Sequence, residues 1–276
     1  MSRRPAVVRI GARSALAVAL ASVAGLAMFL WPLLLHPRAG TAHSTDAPFL
    51  FIMILPALLA VVLAELGHGE MDAKTLAMLG VLTAVGAGLR PLGAGTGGIE
   101  LVFFLLVLAG RVYGPGFGFV LGATTLFASA LLTGGVGPWL PFQMLASSWV
   151  GLGAGFLPRA TGRREIALLA AYGAVAAYAY GFLLNLSFWP FAFGTGGTFS
   201  YVPGASVLHN LHLFALFSLA TSTWGWDTAR AVTNVVAIVL AGPAILATLR
   251  RAARRAAFDA PVEFDPPHEP AGVTTG

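Results

Sequence analysis

The residues that could recognise a small molecule are collected in three polar stretches that separate long apolar runs. Each stretch mixes charged side chains with neutral amides or tryptophans, a composition typical of a binding pocket. Ionisable groups at membrane depth are costly, and they usually face a cavity or each other. We therefore predict a ligand-binding site on the outer side of the membrane. Its candidate residues are Arg90, Thr96, Glu100, Trp139, Gln143, Asn185, Trp189, His209, Asn210, Trp224, Trp226, Asp227, Arg230 and Asn234.

The chemistry expected of this set is recognition rather than catalysis. The tryptophans offer apolar and stacking surface, and the amides offer neutral hydrogen bonds. The charged residues would set the polarity of the site or hold its loops in place. The pairs Arg90–Glu100 and Asp227–Arg230 have an alternative interpretation, as ion pairs at helix ends close to the membrane interface.

Sequence signatures of enzymes, metal sites and cofactor loops are weak or absent. The chain has no cysteine, which excludes disulfides, thiolate ligands and cysteine nucleophiles. His209 and His212 lie three residues apart but lack a third metal ligand. The glycine-rich loop 93–98 lacks the lysine of a phosphate loop, and no Gly-x-Ser-x-Gly or His-Glu-x-x-His sequence occurs. We therefore predict no enzymatic activity, no metal ion and no cofactor.

The composition is that of a helical protein that crosses a lipid bilayer several times. Of the 276 residues, 57% are hydrophobic and only 10% are charged. The apolar runs are long, whereas membrane β-barrels show short alternating segments. The formal charge of +5 comes mostly from arginines near the two ends of the chain. Beside apolar spans such arginines orient the protein in the membrane, so we do not expect nucleic-acid binding.

The apolar runs predict an all-α membrane protein with about eight transmembrane helices. The predicted spans are residues 14–35, 48–66, 74–89, 99–112, 116–133, 139–157, 166–188 and 230–249. The apolar piece at 207–219 is shorter than the roughly twenty residues of a full span. It is therefore predicted to be a non-spanning or re-entrant helix on the outer side, with a ninth span as the alternative.

The distribution of arginines predicts that both termini are cytoplasmic. Arg159, Arg163 and Arg164 form the strongest internal positive cluster. Six crossings from a cytoplasmic N-terminus place this cluster in the cytoplasm, as the positive-inside rule requires. The last span runs into four arginines at 250–255, which a full crossing by 207–219 would put outside. The tail that follows is rich in proline and acidic residues, which predicts disorder.

Small residues recur at every fourth position in two neighbouring runs. Residues four apart lie on one face of a helix. Small side chains there let two helix backbones approach closely in lipid, where no hydrophobic driving force joins helices. We therefore predict two membrane helices packed face to face. The two ladders are Gly110, Gly114, Gly118 and Gly122, and Ser147, Gly151 and Gly155.

The same region resembles the substrate-binding S component of energy-coupling factor (ECF) transporters. The similar runs are 114–123 (Gly-Pro-Gly-Phe-Gly-Phe-Val-Leu-Gly-Ala), 137–146 (Gly-Pro-Trp-Leu-Pro-Phe-Gln-Met-Leu-Ala) and 150–156 (Val-Gly-Leu-Gly-Ala-Gly-Phe). The run 225–234 (Gly-Trp-Asp-Thr-Ala-Arg-Ala-Val-Thr-Asn) is similar to the same family. The resemblance covers about 74–255.

The resemblance implies a six-helix substrate-binding core at 73–256. It leaves 1–72 as an extension with two transmembrane helices and 257–276 as a disordered cytoplasmic tail. It also implies a protein of the bacterial plasma membrane that captures a vitamin-like small molecule from outside. A transmembrane coupling subunit would dock on Gly80 and Ala84, and two ATPase subunits would drive import. For these two small residues, packing within the chain is the alternative.

The resemblance favours cobalamin as the ligand, because the long aromatic outer segment 190–226 could cover a large molecule. Riboflavin, another vitamin and a queuosine precursor remain open. One alternative function is a stand-alone secondary transporter, which would need a coupling-ion site, and no span shows a convincing carboxylate at mid-depth. A second is an integral membrane enzyme acting on lipids or isoprenoids.

Overall fold

All regular secondary structure in the described part of the chain is helical. The computed structural model describes residues 11–30, 73–93, 97–192 and 197–256, with single positions at Leu33, Pro56, Ala60 and Ala64. The α-helices are α1 (Ala12–Phe29), α2 (Ala73–Leu92), α3 (Val102–Tyr113), α4 (Pro115–Thr133), α5 (Leu140–Phe156), α6 (Gly162–Ala192), α7 (Val207–Ser218) and α8 (Thr228–Ala256). A π-helical segment, Leu219–Asp227, lies between α7 and α8.

Five helical stretches of the described residues are long and apolar enough to cross a membrane. They are α1, α2, α4, the Gly162–Trp189 part of α6, and the continuous stretch Val207–Arg254. The chain is therefore a multi-pass helical membrane protein, as its composition predicts. The count of eight spans stays a prediction. Its second span, 48–66, lies outside the described residues apart from three single positions, and so does the tail predicted to be disordered.

Helix α3 is the short central helix of the bundle. Its 12 residues extend about 18 Å, whereas the hydrocarbon core of a bilayer is about 30 Å thick. Ten of these residues are buried, including Phe103, Leu106 and Leu108. Helices α2, α4, α5, α6 and α8 all contact it. Because α3 is short, the loop before it enters the bundle and carries Glu100 inward.

Helices α1 and α2 run in the same direction. The ring of Phe29, the last residue of α1, lies 5.1 Å from that of Phe142 at the start of α5. Arg90, in the last turn of α2, hydrogen-bonds to Gln143, also at the start of α5. Both helices therefore end at the same end of the bundle, which we call the aromatic end.

The opposite end of the bundle, which we call the basic end, is held together by three charged residues. Glu165, in the first turn of α6, pairs with Arg111 at the end of α3 and with Arg250 near the end of α8. Tyr113 donates a hydrogen bond of 3.2 Å to the carbonyl oxygen of Leu249 beside them. The helices that end or begin here belong to the cytoplasmic side of the predicted topology.

The two ladders of small residues meet at the interface of α4 and α5, which confirms their predicted face-to-face packing. A Cβ atom added to Gly118 would overlap the backbone of Gly151, and one added to Gly151 would overlap Gly118. Gly122 meets the Ser147 backbone in the same way. Gly110, in α3, approaches the backbone of Gly151 in α5. The chain turns between α3 and α4 at Gly114, where φ is 100°. Any side chain at the Gly118–Gly151 crossing would separate the backbones.

The segment 207–219 is not a separate crossing. Helix α7 leads through the π-helical segment into α8 without a turn, since the backbone at Leu219 keeps right-handed helical dihedral angles. Phe214 packs edge-on against Phe182, with ring centroids 4.9 Å apart, and so lies along the last third of α6. The segment predicted to be a re-entrant helix is therefore a continuous extension of the last helix.

Candidate functional site

Three charged residues meet inside the bundle in what we call the charge cluster: Glu100, Asp227 and Arg230. Arg230 Nε donates to Glu100 Oε2 at 2.6 Å, and Arg230 Nη1 donates to Asp227 Oδ1 at 2.8 Å. Ser222 donates to the second carboxylate oxygen of Asp227 at 2.9 Å. The side chains of Arg230 and Asp227 are only 8% and 3% exposed, whereas that of Glu100 is 25% exposed. Glu100 is therefore the member of the cluster that solvent reaches.

The π-helical segment positions the carboxylate of Asp227. Its hydrogen bonds join residues five apart, so residues i and i+5 lie above one another. Ser222 and Asp227 have this spacing and are bonded, and the Thr228 hydroxyl donates to the Thr223 carbonyl at 2.7 Å. In a regular α-helix, neighbours on one face are three or four residues apart instead. The local π geometry therefore creates the Ser222–Asp227 contact.

The charge cluster packs against the middle of α6. Arg230 Nη1 is 3.4 Å from the carbonyl oxygen of Ala177, the central residue of α6. The Asp227 carboxylate lies against Gly181, where a Cβ atom would overlap it. Asp227 and Arg230 form the predicted ion pair at the start of α8, and its depth in the membrane stays a prediction.

Two aromatic rings flank the guanidinium of Arg230. Its Cζ atom is 5.1 Å from the ring centroid of Tyr180 and 5.7 Å from that of Phe103. Cation–π contacts of this kind strengthen when the cation is desolvated. The two carboxylates and one guanidinium leave the cluster with one formal negative charge. Its buried position makes that charge sensitive to any cation or hydrogen-bond donor that approaches Glu100.

The glycine-rich loop after α2 rests directly on the π-helical segment. Gly98 has a φ of 93°, and a Cβ atom there would lie 2.7 Å from the Cα atom of Trp226. Only glycine fits such a close approach of two backbones in this conformation. The contact brings Glu100 to Arg230. Thr96, another candidate in this loop, lies outside the described residues.

Arg90 does not pair with Glu100. Its Nη2 atom donates instead to Gln143 Oε1 at 3.1 Å, which links the end of α2 to the start of α5. The alternative interpretation of Arg90–Glu100 as an ion pair is therefore wrong. Arg90 and Gln143, both half-buried, form a second polar contact at the aromatic end.

The two candidate asparagines of α6 and α8 lie in helix interfaces. Asn234 is one turn after Arg230 and fully buried, and its Nδ2 atom donates to the Gly173 carbonyl at 3.4 Å. Its Oδ1 atom has no protein partner. A buried amide oxygen without a partner is costly, so water or a ligand atom fits this position. Asn185 Nδ2 donates to Ser218 Oγ at 3.4 Å, nearer the aromatic end.

Trp189 and Asn210 form hydrogen bonds within the protein and lie outside the charge cluster. The Trp189 ring is 1% exposed, packs against Phe214, and donates to the Phe199 carbonyl at 2.7 Å. Asn210 bonds the backbone of Val202 through both amide atoms, at 2.9 and 3.0 Å. These two residues hold the loop 197–206 against α6 and α7, so their side chains have no capacity left for a ligand.

The remaining candidates are exposed at the aromatic end. Trp224 is 79% exposed, and Trp139 and Trp226 are each 49% exposed. The side chains of His209 and His212 are also exposed, and the His209 amide donates to the α7 capping residue Ser206 at 3.2 Å. The described residues contain no group of three or more His, Asp or Glu that could hold a metal ion. Trp226 is the exposed candidate next to the Gly98 loop.

Partners of the charge cluster that the sequence did not indicate are Ser222, Tyr180, Phe103 and Gly181. Ser222 was hidden because nothing in the composition of 219–227 predicts a π-helix. Tyr180 and Phe103 lie in apolar runs and give no signal of their own. The one usable signal was Gly181 within α6, since an isolated glycine in a helix often marks a close approach.

The buried polar residues lie below the aromatic end, and Glu100 is the most exposed member of the charge cluster. Their charges and hydrogen-bonding groups, with exposed tryptophans at the same end, have the chemistry of a site for a small polar solute. Comparison of the chain with known protein families, curated proteins and solved structures finds no significant match.

Proposed function

We propose that the protein is the substrate-capture subunit of an ATP-driven micronutrient importer. It would bind a vitamin, cobalamin being favoured, at the aromatic end and dock to a transmembrane coupling subunit with two ATPases. The observation that carries the proposal is Arg230, buried between carboxylates from two different segments. Ionisable residues within membrane helices are costly to bury and rare, so each one marks a candidate functional site.

The charge cluster supports capture from the aromatic end. Glu100 follows the glycine-rich loop and Asp227 ends the π-helical segment, so Arg230 links these two segments. A ligand that donates hydrogen bonds to Glu100 would compete with Arg230 and loosen this link. Binding at Glu100 would thereby be coupled to the packing of both segments.

The outer surface of α2 supports docking of a second membrane subunit. Gly80 and Ala84 are exposed, and a Cβ atom at Gly80 would meet nothing within 4 Å. Packing of this pair within the chain, the alternative interpretation, finds no support among the described residues. Small residues on an outward face allow another helix to approach closely.

The proposed capture function predicts that a vitamin binds the purified protein, and that Gln143→Ala with Trp226→Ala weakens this binding about tenfold. The lost hydrogen bond and stacking surface together account for that factor. Mass spectrometry and absorption spectra of gently purified protein would identify the ligand, and titration would give the affinity. Phe127→Ala, which removes an exposed ring from α4, is the control and should bind normally. A protein that binds nothing in a vitamin panel would contradict the proposal.

The proposed docking function predicts that Gly80→Leu with Ala84→Leu reduces the ATPase activity that co-purifies with the protein from its native membrane. Two leucines would hold a partner helix away from α2. Ala171→Leu, an equally exposed change on α6, should leave co-purification unchanged. If the wild type and both variants co-purify with the same ATPase activity, α2 is not the docking face. That outcome has no bearing on ligand capture.

A secondary transporter is the second candidate, and the buried carboxylate of Asp227 favours it. A stand-alone transporter needs a coupling-ion site inside the membrane, and buried carboxylates supply such sites. Uptake of the identified ligand into vesicles that contain only this protein and an ion gradient would establish this function. Uptake only when ATPase subunits are added would exclude it.

A further inference from the structure

Among the described residues, the basic end of the bundle carries more arginines than acidic groups. Glu165 is the single acidic residue of the described chain at this end, since Glu100 and Asp227 lie in the charge cluster. Five arginines near it are exposed and lie in the loop before α6, the first turn of α6 and the last turns of α8. They are Arg159, Arg163, Arg164, Arg251 and Arg254.

Glu165 is not available to neutralise these exposed arginines. Its side chain is 3% exposed, and its Oε1 atom accepts from Arg111 at 2.8 Å and from Arg250 at 2.6 Å. Arg111 also donates to the carbonyl oxygen of Leu157 at 2.9 Å. The inner arginines are therefore committed to holding α3, α6 and α8 together. The outer arginines are exposed and form no ion pair with another described residue.

The exposed arginines form one surface, because the Glu165–Arg250 ion pair joins the start of α6 to the end of α8. Arg163 and Arg164 lie in the first turn of α6, and Arg251 follows Arg250 directly. Exposed apolar side chains lie just inside this surface. Phe156, at the end of α5, is 68% exposed. The surface thus combines cationic groups at the end of the bundle with an apolar flank, as a phospholipid requires.

We propose that this surface binds the phosphodiester headgroups of anionic phospholipids. Arginine donates paired hydrogen bonds to phosphate oxygens, and clusters of four to eight basic residues beside membrane helices attract anionic lipid. The acyl chains would lie along the apolar sides of α5 and α6. A soluble phosphate compound has the same charge but gains nothing from this flank.

The test uses the full-length protein in lipid nanodiscs that contain phosphatidylglycerol and phosphatidylcholine in equal amounts. Native mass spectrometry after release counts the lipids retained by the wild type, by Arg163→Gln with Arg164→Gln, and by Arg163→Lys with Arg164→Lys. We expect the wild type to retain phosphatidylglycerol selectively. The glutamine variant should lose that selectivity about tenfold, and the lysine variant should keep most of it, since charge supplies the attraction.

Two results would overturn the proposal. Equal retention of both lipids by the wild type would show that the arginines do not select lipid. Displacement of retained phosphatidylglycerol by excess inorganic phosphate would assign the surface to soluble anions. Unfolding midpoints confirm that the variants are folded. If the first glutamine variant is unstable, Arg251→Gln with Arg254→Gln replaces it, and unchanged selectivity in a folded glutamine variant also refutes the proposal.

Discussion

Replacement of Arg230 by methionine is expected to lower the stability of the protein by about 3–5 kcal/mol, the usual result of removing one partner from a buried ion pair. The loss leaves Asp227, 3% exposed, and Glu100 beside each other with no cation between them. It also removes the guanidinium from between Tyr180 and Phe103. The midpoint of thermal unfolding, followed by tryptophan fluorescence in detergent, measures the effect.

Two further variants show whether charge is the cause. In the triple variant Glu100→Gln, Arg230→Met and Asp227→Asn, no uncompensated charge remains, so most of the lost stability should return. Arg254→Met makes the same side-chain change at an exposed position of α8 and should alter stability by less than about 0.5 kcal/mol. If the Arg230→Met protein unfolds at the same midpoint as the wild type, the cluster is solvated, contrary to its burial.

The single methyl group added by Gly151→Ala is expected to cost more than the roughly 1–3 kcal/mol typical of an overpacked core. The new Cβ atom would overlap the carbonyl oxygen of Gly118 and lie 2.9 Å from its Cα atom. Backbone atoms cannot rotate away as a side chain does, so α4 and α5 must separate. Unfolding midpoints and the yield of monodisperse protein measure this loss.

Gly88→Ala is the matched control for Gly151→Ala. Gly88 is also a helical glycine, in α2, but a Cβ atom there meets nothing within 4 Å. Alanine is favoured over glycine in a helix by up to about 1 kcal/mol, so this variant should be as stable as the wild type or more stable. If both alanine variants behave alike, the close approach of α4 and α5 is not what stabilises the bundle.

Properties that depend on short stretches of chain could be predicted from the sequence. The helical membrane class follows from apolar runs, because a bilayer accepts backbone only in hydrogen-bonded helices or closed barrels. The close packing of α4 on α5 follows from glycines at four-residue spacing, including Gly118 and Gly122. The sequence also nominates polar residues between the apolar runs as a candidate site, and three of them, Glu100, Asp227 and Arg230, meet in the charge cluster.

The partners within that site were decided only by the tertiary structure. Arg230 pairs with Glu100, 130 residues earlier in the chain, whereas Arg90 hydrogen-bonds to Gln143. Trp189 and Asn210 have the residue types of a binding site but support the loop 197–206. Spacing along the chain fixes which residues share a helix face, but the rotation and depth of each helix depend on all its neighbours. A buried charge then pairs with whichever opposite charge that packing brings within hydrogen-bond distance.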